Sequence, residues 1–551
     1  MRKKGSMRRK SDGRKRTAAV LLLLCLAAGL TAGCNGSGTS QADGETNDSE
    51  ANAAAKTSVI VAMPPSSEPE AGFDPVYGWG AGEHVHEPLI QSTLLTTNEQ
   101  LELELEMATG YEPSEDGLCW TVTIRDDVRF TDGEPLTAAD VAFTYNTCRD
   151  NSIVNDFSML EEAVAVSDTQ VEFHLNRVYS IWPYTMANVG IVPEHAYDED
   201  YGSKPIGSGR YILKQWDRGQ QVILEANPDY YGEPPKMERV TILFLTEEAA
   251  LAAAMAGEVD VAYTAAIYAG QELDGYHLFE ADTVDNRGLN LPTVPATEVD
   301  GVTYGNDFLC DVQVRRAINI GIDRETLIDH VLNGCGTPAY SVCDNLPWYQ
   351  EASEVAYDPE EAGKLLDDAG WKEGADGIRQ KDGVTAAFAV LFHPEDSVRQ
   401  ALAEELKNQL RELGIQVTTE AAGWDTAYTK AQSQALVWGW GAHTPMELYN
   451  LYHSTDGGYA EYSPYRNETV DHYMDQALAC TDTQEAYELW KMAQWDGSTG
   501  VTQEGDVPWI WLCNVKHLYF VRDGLVIAEQ KIHPHGHGWS LVNNVDRWSW
   551  E

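Results

Sequence analysis

The chain has 551 residues, 43% of them hydrophobic and 10% aromatic, with 87 acids against 38 lysines and arginines and a formal net charge of −49. That length exceeds one compact core and predicts two or three domains, and the composition is globular, not disordered. So acidic a surface repels phosphate backbones, which argues against nucleic acid as a partner and otherwise means solubility.

The first residues break from this balance. Nine bases lie between Arg2 and Arg16 with a single acid, Asp12, and without them 29 bases face 86 acids, a net −57. An apolar run from Thr17 to Gly33 follows; its seventeen residues are short for a bilayer span and fit the h-region of a signal peptide. It ends Leu30-Thr31-Ala32-Gly33-Cys34, and small residues directly before a cysteine resemble a bacterial lipobox. The expectation is a leader over 1–33, cleavage before Cys34 and lipidation of that residue; the alternative is an ordinary signal peptide. Residues 34–57 are expected to be a flexible tether, since Asn35 to Thr57 has no periodicity and almost no large apolar side chain. A coil of that length reaches about 25–30 Å.

Val59-Ile60-Val61-Ala62 predicts the first strand, ended by Pro64-Pro65. Further on, Thr121 to Arg125 alternates polar and apolar residues as a half-buried strand does. Asp132-Gly133 is a turn signal. Thr137 stands as helix N-cap with Asp140 three residues on, a variant of the capping box, and Val141, Phe143 and Tyr145 lie in the helix that follows. Strand-like and helix-like segments then alternate to the end with no solenoid period. Gly/Pro clusters at 201–209 and 291–304 mark candidate crossings between domains, with a strand from Tyr211 to Gln215 after the first and a helix near Asp311 after the second.

Beyond Cys25 and Cys34, seven cysteines remain, at 119, 148, 310, 335, 343, 480 and 513, with no C-x-x-C among them. The odd number leaves at least one thiol unpaired in an exported protein. Cys335 and Cys343 bracket a turn-rich loop and are candidates for a bond; the alternative is that all seven are small buried apolar residues. No nucleophile elbow, zinc helix or phosphate loop occurs, so the chain is read as a non-enzyme with no cofactor.

The informative residues are aromatic and imidazole. Ala435 to Thr444 reads ALVWGWGAHT, with Trp438 and Trp440 two apart and therefore on one face of a strand, and with glycines that permit close approach. Trp424 precedes this segment, and Tyr449 and Tyr452 follow it. The plain alternative is that these rings are core. Three histidines alternate at His533, His535 and His537, a spacing that suits nickel, copper or zinc or else a polar tail.

Read as text, Ile124-Arg125, Phe130, Asp132-Gly133, Pro135-Leu136-Thr137-Ala138 and Asp140-Val141 resemble the signature of the family-5 extracellular solute-binding proteins, receptors of ABC importers for oligopeptides, dipeptides and nickel. Three later segments, Asn227–Tyr263, Asp311–Tyr340 and Tyr357–Trp371, match the same family in the same order. The resemblance implies an α/β, periplasmic-binding-protein-like fold (type II, cluster C): a three-domain, two-lobed clamshell with mixed sheets and a hinge. Domain I would take residues 58–88, 205–304 and 509–551, domain II 89–204, and domain III, the opposing lobe, 305–508. Arg210 departs from the family's usual Gly-Pro-Tyr. The segment 435–444 would line the ligand cleft, with Trp424, Trp438 and Trp440 in its wall and Trp79, in the loop before His84 and His86, contributing from the other lobe. The family commonly writes W-x-x-D there to hold a peptide ammonium; here Trp440 matches and His443 takes the acid's place, supplying no fixed negative charge. His453 falls near a histidine of the nickel-binding members. The resemblance thus implies a monomeric, lipid-anchored receptor on the outer face of the cytoplasmic membrane, in the periplasm or at the cell surface. It would capture di- or oligopeptides for permease subunits; the alternative is a nickel or metal-chelate receptor using His443, His453, His533, His535 and His537.

Overall fold

The strand expected from Thr121 forms as Cys119–Ile124, and the helix after it as Ala138–Asn151. The computed structural model describes residues 56–78, 86–152, 155–455, 458–536 and 538–551. The leader, Cys34, nearly all of the tether, Trp79, His84 and His537 lie outside them. Thr137 and Asp140 make the full capping box: the Thr137 hydroxyl receives backbone amides of the first turn while the Asp140 carboxylate takes the Thr137 amide at 2.9 Å. The strand lies in a four-stranded antiparallel sheet, in the order Ala108–Pro113, Cys119–Ile124, Gln170–Leu175, Leu160–Ser167. Its alternation sends Trp120, Val122, Phe173 and Leu175 inward, where Tyr145 of the helix meets Phe173 with ring centroids 4.7 Å apart.

Among the described residues, two larger mixed sheets, with four small two- and three-stranded ones, make the rest. The first has seven strands in the order Tyr276–Ala281, His517–Arg522, Val261–Thr264, Ser58–Met63, Arg239–Phe244, Gln221–Ala226 and Tyr211–Asp217. Ser58–Met63, the strand expected at Val59, runs parallel to both its neighbours and is buried at its centre, as its unbroken apolar run requires. The second has six strands: Gly336–Pro338, Trp509–Val515, Asn286–Asn290, Ala435–Trp440, Ala387–Phe392 and Gln416–Ala421. The helix expected near Asp311 runs Val312–Ile320 with Asp311 as its N-cap.

Asn286–Asn290 and Trp509–Val515 were placed by sequence in domain I, yet both pair within the six-stranded sheet. The Gly/Pro-rich segment after residue 290 marks a surface loop with a small hairpin, Thr297–Val299 against Val302–Tyr304. The chain passes from the seven-stranded to the six-stranded sheet around Thr283 and back at Lys516. The two crossings are tied together, Val515 donating its amide to the Asp285 carbonyl at 2.8 Å and the Thr283 hydroxyl to the Val515 carbonyl at 2.8 Å. Arg210 has its reason in the fold: its guanidinium pairs with Asp546 at 2.7 Å, fastening the seven-stranded sheet to the C-terminal segment.

All seven described cysteines are free thiols, so the bond considered between Cys335 and Cys343 is absent. Each sulfur has a polar neighbour of its own: the Asn333 carbonyl at 3.9 Å for Cys335, and Ser341 Oγ at 3.3 Å and Gln494 Oε1 at 3.5 Å for Cys343. Among the described residues no helix is long and apolar enough to cross a membrane.

Candidate functional site

Ala435–Trp440 is an interior strand, and its pleat sets Trp438 and Trp440 on one face with centroids 5.7 Å apart and planes 26° from parallel. Their fates differ. Trp438 is 3% exposed, and its Nε1 donates to Asn290 Oδ1 at 2.9 Å, so it is a satisfied core residue. Trp424 stacks behind Trp438 at 6.2 Å, carries His393 on its own ring at 5.0 Å, and is 37% exposed. Trp440, at the strand's end, is the one of the three that lines a cavity.

That cavity, about 430 Å³, opens where the three sheets' surroundings meet. Tyr179, Tyr184 and Asn188 come from the region of the four-stranded sheet, Trp440 to Glu447 from the loop leaving the six-stranded sheet, and Ile532 to Asn543 from the C-terminal segment. The loop is held close to the crossing strand. Gly441 has φ +140°, and a Cβ there would stand 2.1 Å from the Val284 carbonyl oxygen, so no other residue fits. Glu447 fixes the turn by receiving the Gly441 and Ala442 amides at 2.9 Å each. Burial lifts the Glu447 carboxyl to about 7 against the pull of those two amides.

His443 sits in this loop, on the cavity wall. Burial, the largest influence, brings its imidazole down to about 4, so the ring is neutral at pH 7. One ring nitrogen donates to the Ile532 carbonyl. Nε2 is then an acceptor, and it is buried without a protein partner, as is the Nε1 donor of Trp440. Beside it, Glu87 and Lys531 pair at 2.6 Å, and Lys531 also donates to Thr97 Oγ1 at 3.1 Å. Burial acts to raise the Glu87 carboxyl, but the ammonium outweighs it and holds the group below its ordinary range. Glu87 and Lys531 both line a second hollow of about 260 Å³, which shares Glu87 with the first.

The remaining histidines divide. His533 and His535 line the cavity. They are bound into a buried chain: Gln530 to His533 at 3.1 Å, His533 to His517 at 3.1 Å, His517 to Asp285 at 3.3 Å, and His535 to the other Asp285 oxygen. Arg287 caps the same carboxylate. Burial alone would raise Asp285, but Arg287 and His535, then the imidazole hydrogen bonds, hold it well below the usual carboxylate range. Burial, with His517 and His443 adding to it, holds His533 well below its ordinary value. His453 is elsewhere: it stacks on Tyr449 at 4.1 Å and meets Asp475 at 3.1 Å. Among the described residues, no three of His443, His453, His533 and His535 bring ligand atoms within 4.8 Å of one another. Both His533 nitrogens, His453 Nε2 and His535 Nδ1 are taken by protein partners, while His443 Nε2 is not.

Sequence reasoning reached Trp440 and His443 but missed Glu87, Lys531, Glu447 and Asp285. It also missed Arg287 and Arg399, which crowd Gly439 so closely that a Cβ there would stand 3.0 and 2.6 Å from their Nη atoms. None of these sits in a spacing that spells a site; only the two arginines, in a chain with few bases, were an available signal.

Residues 102–462 match the family model described as bacterial extracellular solute-binding proteins, family 5 Middle. Protein XP55 of Streptomyces lividans is 30% identical over 520 residues, covering 91% of this chain and 90% of that one. The oligopeptide-binding protein AppA of Bacillus subtilis is 28% identical over 445 residues, covering 74% of this chain and 79% of the relative. Among solved structures, NikZ from Campylobacter jejuni in complex with Ni(L-His) superposes with a TM-score of 0.69 at 23% identity, over 90% of this chain and 99% of that one.

Proposed function

Since the chain belongs to the bacterial extracellular solute-binding proteins of family 5, the binding components of ABC importers and not enzymes, we propose that it captures short peptides in the cavity beside Trp440 and His443 and delivers them to a membrane permease. The observation that carries this reading is the pair of buried atoms without protein partners, the Trp440 Nε1 donor and the His443 Nε2 acceptor. A peptide main chain offers a carbonyl to the first and an amide to the second, while Tyr179, Tyr184 and Trp440 give apolar surface and Asn188 an amide. Glu87, beside His443, is neutralised by Lys531, so the neighbourhood of His443 favours polar neutral ligand groups over a free ammonium. Mass spectrometry of ligand released from the purified protein tests the proposal: peptides are expected, and a metal with a small chelator would overturn it. That second outcome is the alternative reading, favoured by one observation only, that His443, His533 and His535 share the cavity.

The receptor reading includes the lipid anchor on Cys34, supported by the small residues before it and the tether after it. Cys34→Ser is expected to move the protein from the detergent phase to the aqueous phase on partitioning and to release it from cells. A variant that stays with the detergent phase would refute the anchor.

A further inference from the structure

The outer face of the four-stranded sheet carries a cluster that the cleft does not use. Cys119 and His174 are direct partners on neighbouring strands, and Glu172, two residues before His174, shares their face. Their neighbours Trp120, Phe173 and Leu175 point into the core, whereas all three are partly exposed. The thiol sulfur, a carboxylate oxygen and an imidazole nitrogen lie within 4.8 Å of one another, and His174 Nε2 is 3.3 Å from Glu172 Oε2.

We propose that Cys119, Glu172 and His174 form a binding site for a divalent transition ion of the zinc type, separate from the ligand cleft. Ligands about 2.0–2.3 Å from a tetrahedral ion stand about 3.3–3.7 Å apart. The histidine and glutamate already meet that spacing, and the partly exposed thiol closes the rest by a small side-chain rotation. Thiolate, imidazole and carboxylate together suit zinc, cobalt or copper and not magnesium or calcium. Three protein ligands leave the fourth position to water. Without an ion, burial and then the Glu172 and Asp116 carboxylates push the Cys119 thiol up, so it keeps its proton. A divalent ion reverses that balance: the sulfur–metal bond forms as the S–H proton leaves to solvent. None of the three residues lines the 430 Å³ cavity, so this site is independent of the peptide-or-chelate question there.

The test uses the full chain without an affinity tag, and Co²⁺ alone as the probe. A sulfur-to-cobalt charge-transfer band is expected to saturate at one equivalent and to be bleached by Zn²⁺. Cys119→Ser should abolish it, Cys480→Ser should leave it intact, and His174→Gln should weaken Co²⁺ affinity about tenfold or more. Circular dichroism checks that each variant keeps its fold; were Cys119→Ser to misfold, the His174→Gln titration decides. A wild-type protein with no band, a band that survives Cys119→Ser, or unchanged affinity in His174→Gln would overturn the proposal.

Discussion

Trp440→Ala is expected to weaken binding of the released ligand by about 30-fold or more, measured by titration calorimetry. The ring closes one wall of the cavity, stacks on Trp438 and meets Tyr462 edge-on with centroids 4.9 Å apart, so nothing nearby can swing in to replace it. Truncating such an aromatic anchor costs about 2 kcal/mol or more, and each decade in affinity is about 1.4 kcal/mol. His443→Ala separates the two readings of the cavity. It should cost less than Trp440→Ala if the ligand is a peptide held at many points, and it should abolish binding if His443 is a metal ligand, since packing cannot replace a coordination bond. Wild-type affinity in both folded variants would remove the cleft from this segment.

Asp285→Ala is expected to be the most destabilising single change near the site, by about 3–5 kcal/mol in urea unfolding, because it strands the buried Arg287 charge and unties His517 and His535. The pH dependence follows from the same groups. Asp285, held below its unfolded value, contributes stability that is present above about pH 4 and lost as pH falls through its native value. At milder acidity two effects oppose each other. His443 at about 4, and His533 also well below 6.5, lose stability as pH falls from 6.5. Glu447, and the buried Asp344 that receives the Tyr340 and Ser341 amides, are both raised by burial to about 7 and lose it as pH rises towards 7. Wild-type stability should therefore change little between about pH 4.5 and 7 and drop below 4, and Asp285→Ala should lack the steep acid limb. An unfolding midpoint within error of wild type at neutral pH would refute the role given to this network.

What the sequence made legible was local. The hydroxyl of Thr137 and the acid of Asp140 act within one turn, and a two-residue pleat puts Trp438 and Trp440 side by side whatever surrounds them. The sequence could not separate those two rings, because the distinction rests on Asn290, a strand away, reaching Trp438 Nε1. Asp285 was hidden for the same reason: its partners His517 and His535 lie 232 and 250 positions further on. The cluster at Cys119 was hidden by register, since nothing in the chain announces that position 119 faces 174. Likewise, the Gly/Pro segment after 290 marks a turn in the chain without saying which sheet lies on either side of it.

The placement of the last two long strands governs when the molecule can be assembled. His517–Arg522 fits between Val261–Thr264 and Tyr276–Ala281, and Trp509–Val515 between Asn286–Asn290 and Gly336–Pro338, so both large sheets have an interior slot filled from one end of the chain. A nascent chain that has not yet delivered residue 509 exposes unpaired strand edges on both sides of each slot, which is the geometry that invites aggregation. Pairings this distant in sequence are slow to form. Completion of the two sheets is therefore joint: the strands that fill the two slots are separated by a single residue, Lys516. One short stretch, residues 509–522, thus completes both large sheets.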